Sequence, residues 1–294
     1  MSRVGFIGVG VMGMPMALNL IEKGHRVKAF DISPAALEAI GRKGAETAAS
    51  PRDAAEGADF VITMLPTGKV VAYAVFGPEG AAESLGDDSL LIEMSTGLPS
   101  HFDTLAERLT SQGKRAIDAP VGRTSREAET GTLLIMVGGE TEDVDRARPV
   151  LECMGDTIIH CGATGSGIRT KLVNNYLSIV SNVVVAEALA LAEAAGLDRD
   201  TAIDALMGTT AGRGHLGTTY PVQVLAGNLD PGFMVDLARK DLGLALEMGR
   251  DNDSPTVMGA AALPVYDDAQ LHGLGGQDWT AVYNLVTGRT RSGP

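Results

Sequence analysis

The chain has 294 residues, 45% hydrophobic and 21% charged, with a formal net charge of −13. That length predicts two domains, and the acidic balance argues against nucleic acid or an anionic membrane as a partner, so any small anion must find a local basic cluster. Only two cysteines (Cys153, Cys161) and five scattered histidines (His25, His101, His160, His215, His272) exclude a disulfide scaffold and show no metal-ligand spacing, which reads as a reduced, cytoplasmic, metal-free protein.

Residues 4–20 are apolar behind Arg3, but glycines and Pro15 interrupt the run and no small-residue cleavage site follows. No stretch reaches the roughly 18 uninterrupted apolar residues expected of a membrane span. Short apolar runs at 4–7, 26–30, 60–64, 90–94, 116–118 and 133–137 read as strands. The amphipathic segments 14–23, 34–42 and 101–112 read as helices between them, with Gly24 and Gly113 at C-caps. This alternation is the signature of βαβ units and a mostly parallel sheet. Beyond Gly167 the pattern becomes helical: one long helix over 168–195 stopped by Gly196, then 200–207, 235–249, 258–270 and 278–286. The expected architecture is an α/β Rossmann-type N-terminal domain over 1–162, a long interdomain helix over 163–195, and an all-α domain for substrate and subunit contacts over 196–294.

Gly8-Val9-Gly10-Val11-Met12-Gly13 follows the first strand and opens a helix. In such a loop the first glycine allows a tight turn, the second lets a pyrophosphate approach the backbone, and the third lets helix and strand pack closely. The helix N-terminus then offers free N–H groups and a positive dipole end. Asp31 ends the second predicted strand, 23 residues after Gly8. A carboxylate there accepts both ribose hydroxyls of NAD and repels the 2′-phosphate of NADP, and Ile32 and Ser33 offer no arginine to offset it. The cofactor expected is NAD, with NADH preferred over NADPH.

On the long helix, Lys171, Asn174, Asn175, Ser178 and Asn182 form a polar stripe at about 100° per residue on an otherwise apolar surface. Such a stripe is costly to bury unless it faces a wet cleft or a ligand. Hydride transfer to an aldehyde places negative charge on oxygen, which a lysine ammonium can stabilise and protonate; desolvation lets it take the proton back in the reverse direction. Asn175, one turn on, could hold the lysine or the substrate hydroxyl. The plain alternative is a solvated helix face.

Four segments together resemble the β-hydroxyacid dehydrogenases, the family of 3-hydroxyisobutyrate dehydrogenase. They are the loop from Gly8 to Ala17, Asp118-Ala119-Pro120-Val121 with Gly131-Thr132-Leu133, the Lys171–Asn175 helix, and Lys240-Asp241-Leu242. The resemblance implies that Lys171 is the catalytic acid/base, that Asn175 assists it, and that Lys240 lies by the nicotinamide and substrate. It also implies that Leu65-Pro66 and Ser95-Thr96 line the cofactor, with Ser95 reaching the substrate. The family usually reads Ser-Gly-Gly after Asp-Ala-Pro-Val; here stand Gly122-Arg123-Thr124-Ser125. An arginine fork beside two hydroxyls suits a multi-oxygen anion. That segment, with Asn174 to Ser178, Gly208 to His215, Phe233 to Asp241 and Gln277-Asp278-Trp279, resembles the family's sulfolactaldehyde-reducing members. The resemblance then implies that Gly122, Arg123, Thr124, Asn174 and Ser178 hold a sulfonate, with Arg213 and His215 either touching substrate or stabilising their loop. The alternative substrate is a small 3-hydroxycarboxylate such as 3-hydroxyisobutyrate or tartronate semialdehyde. A homodimer or homotetramer is expected.

Overall fold

Apolar runs that bury both faces build the centre of a nine-stranded sheet. The computed structural model of the chain describes residues 1–209, 211–252 and 256–289, with nothing stated of the side chains at 191, 194 and 211. Thr210, part of one segment of the resemblance, lies outside the described residues. The chain divides into two compact units, Met1–Lys171 and Leu172–Pro294.

In the first unit the strands are β1 (Arg3–Ile7), β2 (Arg26–Phe30), β3 (Glu46–Thr47), β4 (Phe60–Thr63), β5 (Leu90–Glu93), β6 (Arg115–Asp118), β7 (Val121–Gly122), β8 (Leu133–Gly138) and β9 (Gly155–Gly162). They lie in the order β3-β2-β1-β4-β5-β6-β8-β7, with β9 pairing β8. From β3 through β6 every pair is parallel; β8 runs antiparallel to β6 and β7. The helices are α1 (Gly13–Glu22), α2 (Pro34–Gly41), α3 (Pro51–Ala55), α4 (Gly68–Phe76), α5 (Pro99–Thr110), α6 (Ser125–Glu129) and α7 (Thr141–Leu151). Strands β4 and β5 are buried at every residue, as central strands of a two-faced parallel sheet must be. Successive strand residues feed opposite layers: Phe6, Ile62 and Ile92 enter one core, Ile7, Val61 and Leu91 the other. Caps are set locally, with Ser33, Ser50 and Thr67 accepting the backbone N–H of Ala36, Asp53 and Val70.

The six expected strands are present within a residue or so. The sequence pattern missed β3 and β7, which are two residues each, and β9, which has only one buried residue and so lacks an apolar run.

Helix α8 (Ser166–Ala194) begins in the first unit and continues into the second. It ends where Gly196 takes φ +77° and the Leu197 N–H bonds the Ala192 carbonyl, a Schellman closure. Its Ser166–Ala190 stretch has the length and mean hydropathy (1.3) of a membrane span. Its inward residues are nevertheless core: Ile168 in the first unit, and Ile179, Val183, Ala186 and Leu189 in the second. The second unit adds α9 (Arg199–Met207), α10 (His215–Thr218), α11 (Val235–Asp251), α12 (Val257–Leu271) and α13 (Val282–Val286). Tyr220, Tyr266 and Tyr283 are fully buried there.

Candidate active site

Parallel strands that reverse order about β1 leave a crevice at their carboxyl ends, where ligands bind in such sheets. The cofactor candidates occupy that edge: Gly8 to Gly13 after β1, Asp31 after β2, Leu65-Pro66 after β4, and Ser95-Thr96 after β5. The three glycines have separate reasons. Gly8 takes φ +98°, and a Cβ on it would lie 2.3 Å from the Met64 carbonyl oxygen. A Cβ on Gly13 would lie 1.9 Å from the Gly8 carbonyl oxygen, so α1 can pack here only without one. Around Gly10 there is nothing within 4 Å, which leaves its backbone open to a pyrophosphate. Val11 is exposed and Met12 precedes the first turn of α1. Asp31 braces the loop: one carboxylate oxygen accepts the Val9 N–H and the other the Ser33 N–H, both at 2.8 Å. These residues fit a dinucleotide.

Two neighbouring loops are tied together through Ser95. Its hydroxyl accepts the Leu65 N–H at 2.9 Å, and its own N–H donates to Glu93 Oε1 at 2.8 Å. Ser95 is therefore buried and engaged in shaping the cofactor edge. Glu93, a buried carboxylate closing an apolar strand, was not singled out from sequence, although a charge ending Leu-Leu-Ile was a visible signal.

Gly122 lies on β7, and Arg123 follows it with φ +73°, one of two non-glycine residues with positive φ among those described. The family pattern has glycine there, so the arginine holds a conformation costing roughly 1 kcal/mol or more. Its guanidinium pairs with Asp156 at 2.6 Å and bonds the Thr157 hydroxyl and the Thr132 carbonyl. Thr124 caps α6, its N–H and hydroxyl both donating to Glu127.

Lys171 is buried near the start of α8. In the second unit, Asn175 is also buried and donates from Nδ2 to Asp241 Oδ2 at 2.6 Å. Lys240 Nζ lies 3.0 Å from the other oxygen of Asp241, and the Asn174 amide donates to Asn175 Oδ1 at 3.3 Å. Asp241 thus joins Asn175 to Lys240; it was visible in sequence as a carboxylate among the apolar positions Ala238, Leu242 and Ala245 of α11. Asn174 is exposed and Ser178 half-buried. His215 Nε2 lies 2.6 Å from the Ser178 carbonyl oxygen, with the His215 ring packed edge-on to Trp279. Burial lowers the His215 pKa, so the neutral ring donates to that carbonyl. Arg213 is exposed.

Asn182 departs from the expected stripe. It is fully buried and donates to the Tyr266 hydroxyl and the Trp279 carbonyl, so it is a core residue. At about 100° per residue it lies only about 20° from Lys171 in projection, so what differs is the surroundings: by this point α8 packs Ile179, Val183 and Ala186 into the core of the second unit.

A dinucleotide edge and a lysine–asparagine helix define a nicotinamide-dependent oxidoreductase. Residues 3–162 match the model for the NAD binding domain of 6-phosphogluconate dehydrogenase, and residues 165–286 that for the NAD-binding domain of NADP-dependent 3-hydroxyisobutyrate dehydrogenase. The chain is 46% identical to a 3-sulfolactaldehyde reductase of Escherichia coli (97% of this chain, 96% of the relative). It is 35% identical to a 2-(hydroxymethyl)glutarate dehydrogenase of Eubacterium barkeri (99% and 98%). A solved 3-hydroxyisobutyrate dehydrogenase of Mycobacterium tuberculosis, described with L-serine, superposes with a TM-score of 0.91 at 33% identity (97% and 99%). The chain belongs to the β-hydroxyacid dehydrogenase family.

Proposed function

We propose that the chain reduces 3-sulfolactaldehyde to 2,3-dihydroxypropane-1-sulfonate with NADH. The observation that carries the sulfonate is Arg123, an arginine kept at a positive φ where the family pattern has glycine; a relative 46% identical bearing the 3-sulfolactaldehyde reductase name supports it. The exposed pair with Asp156 is no obstacle, because such pairs contribute only about 0–1 kcal/mol. A sulfonate, with three acceptor oxygens, can replace Asp156 on the guanidinium; Gly122, Asn174 and Ser178 are the further donors that the family resemblance implies, whereas Thr124 is engaged with Glu127.

The nicotinamide supplies the hydride. Lys171 donates a proton to the aldehyde oxygen as charge develops there and is reprotonated from solvent. Asn175, its amide oriented by Asp241, holds the substrate oxygen, and Lys240, neutralised by the same Asp241, adds positive potential without an unpaired buried charge. Asp31 favours NADH, since no arginine stands at Ile32 or Ser33 to accept a 2′-phosphate.

Parallel steady-state assays test the substrate. Wild type should prefer 3-sulfolactaldehyde over tartronate semialdehyde and succinic semialdehyde in kcat/KM. Arg123→Ala should raise KM for the sulfonate by about 10- to 100-fold, the loss of a charge-assisted fork. Equal turnover of a carboxylate, or an indifferent Arg123→Ala, favours the small 3-hydroxycarboxylate instead.

A further inference from the structure

The first turn of α8 requires a cap that its own sequence lacks. Gly165, the residue before the helix, takes φ +86° and has no side chain to offer. Asp118, closing β6, supplies the cap from 47 and 50 residues away. Its Oδ1 accepts the Gly165 N–H and its Oδ2 the Ile168 N–H, both at 2.7 Å. These are the N-cap and third-position amides that a capping box satisfies from within a helix.

The surroundings are shaped for this carboxylate. Asp118 has no exposed surface. A Cβ on Gly138 would lie 2.5 Å from Oδ1, and one on Gly167 would lie 2.9 Å from Oδ2. The same turn is gripped from α5, where Asp103 pairs with Arg169 at 2.7 Å. Lys171 is the third residue beyond Ile168.

We propose that Asp118 is the positioning residue for Lys171, fixing the height and rotation of the turn that presents the amine to the reacting oxygen. This rests on the reading of Lys171 as the proton donor. Proton transfer tolerates only small misplacement, and an uncapped first turn frays. Both amides need a carboxylate with two accepting oxygens. When Asp118 takes a proton, one oxygen becomes a donor facing an N–H, and the grip on the turn is lost.

Burial pushes the Asp118 carboxyl up to about 6, while the Ile168 and Gly165 amides pull it down. Of the charged groups on the elements around it, Arg169 on α8 also lowers it; Lys171 follows on α8, Glu93 stands opposite on β5, and Asp103 on α5 pairs with Arg169. Turnover should therefore fall as pH drops through about 6.

The test uses full-length Asp118→Asn, Asp118→Ala and Lys171→Ala, with NADH and either 3-sulfolactaldehyde or tartronate semialdehyde as probe. Asp118→Asn should lower kcat about 10- to 100-fold, leave KM and the NADH Kd within about threefold, and abolish the acid limb. Hydrogen exchange at the Gly165 and Ile168 amides should speed up in both Asp118 variants. Lys171→Ala should lose turnover at every pH and keep those amides protected. An Asp118→Asn enzyme with wild-type kcat and an intact acid limb overturns the proposal. So does rapid hydrogen exchange of the Gly165 and Ile168 amides in the wild type, a readout that needs no variant to fold. Retained activity in Lys171→Ala would instead overturn the proton-donor reading, with the amide protection unaffected.

Discussion

At the scale of single residues, Asp31 has two tasks that substitution can separate. It accepts two backbone amides and so braces the glycine loop, and under the proposed function it also presents negative charge where a 2′-phosphate would sit. Asp31→Asn keeps an acceptor while removing the charge. It should raise the KM for NADH by a few fold and narrow the preference over NADPH by about tenfold, the worth of one charge-assisted contact. Steady-state titration with both cofactors measures this, and an unchanged preference would show that discrimination lies elsewhere. The loop itself was legible because each glycine answers to a local steric demand that sequence pattern records. Glu93, Asp118 and Asp241 were harder to see: each is a buried carboxylate, and for Asp118 and Asp241 the decisive partners, the Gly165 and Ile168 amides and the Asn175 side chain, lie far along the chain, where spacing does not carry that information.

At the scale of the element, α8 was expected over 168–195 and observed over Ser166–Ala194, since its apolar length and Gly196 are local features. Its polar positions were only partly separable. Lys171 and Asn175 are buried, Asn174 is exposed and Asn182 is in the core, although all lie on one stripe in a helical projection. Two variants tell the roles apart. Asn182→Ala removes two buried hydrogen bonds, to the Tyr266 hydroxyl and the Trp279 carbonyl, which should cost about 2 kcal/mol of stability with kcat within about twofold. Under the proposed mechanism Asn175→Ala should lower kcat at least about tenfold, since it removes the donor to Asp241 and the group assigned to the substrate oxygen. Denaturant melts beside turnover assays would show it. A large turnover loss in Asn182→Ala with unchanged stability would return that residue to the site.

At the scale of the whole molecule, the change from alternating strands to helices was legible in sequence, while the division between the compact units falls at Lys171, inside α8, rather than at the expected bounds of 162 and 196. The same helix leaves Val173, Leu177 and Val184 at 61%, 68% and 48% exposure, at helical spacing along one side. We expect a second copy of the chain to cover them, giving a dimer or tetramer in light scattering at micromolar concentration, with Leu177→Lys shifting it toward monomer. A wild-type monomer would contradict this. The central claim is that the family's hydride chemistry runs through Lys171, and single-turnover oxidation of bound NADH on mixing with 3-sulfolactaldehyde tests it most directly. The account predicts that Lys171→Ala binds NADH as wild type does yet oxidises it at least about a thousandfold more slowly. Oxidation at the wild-type rate would contradict it.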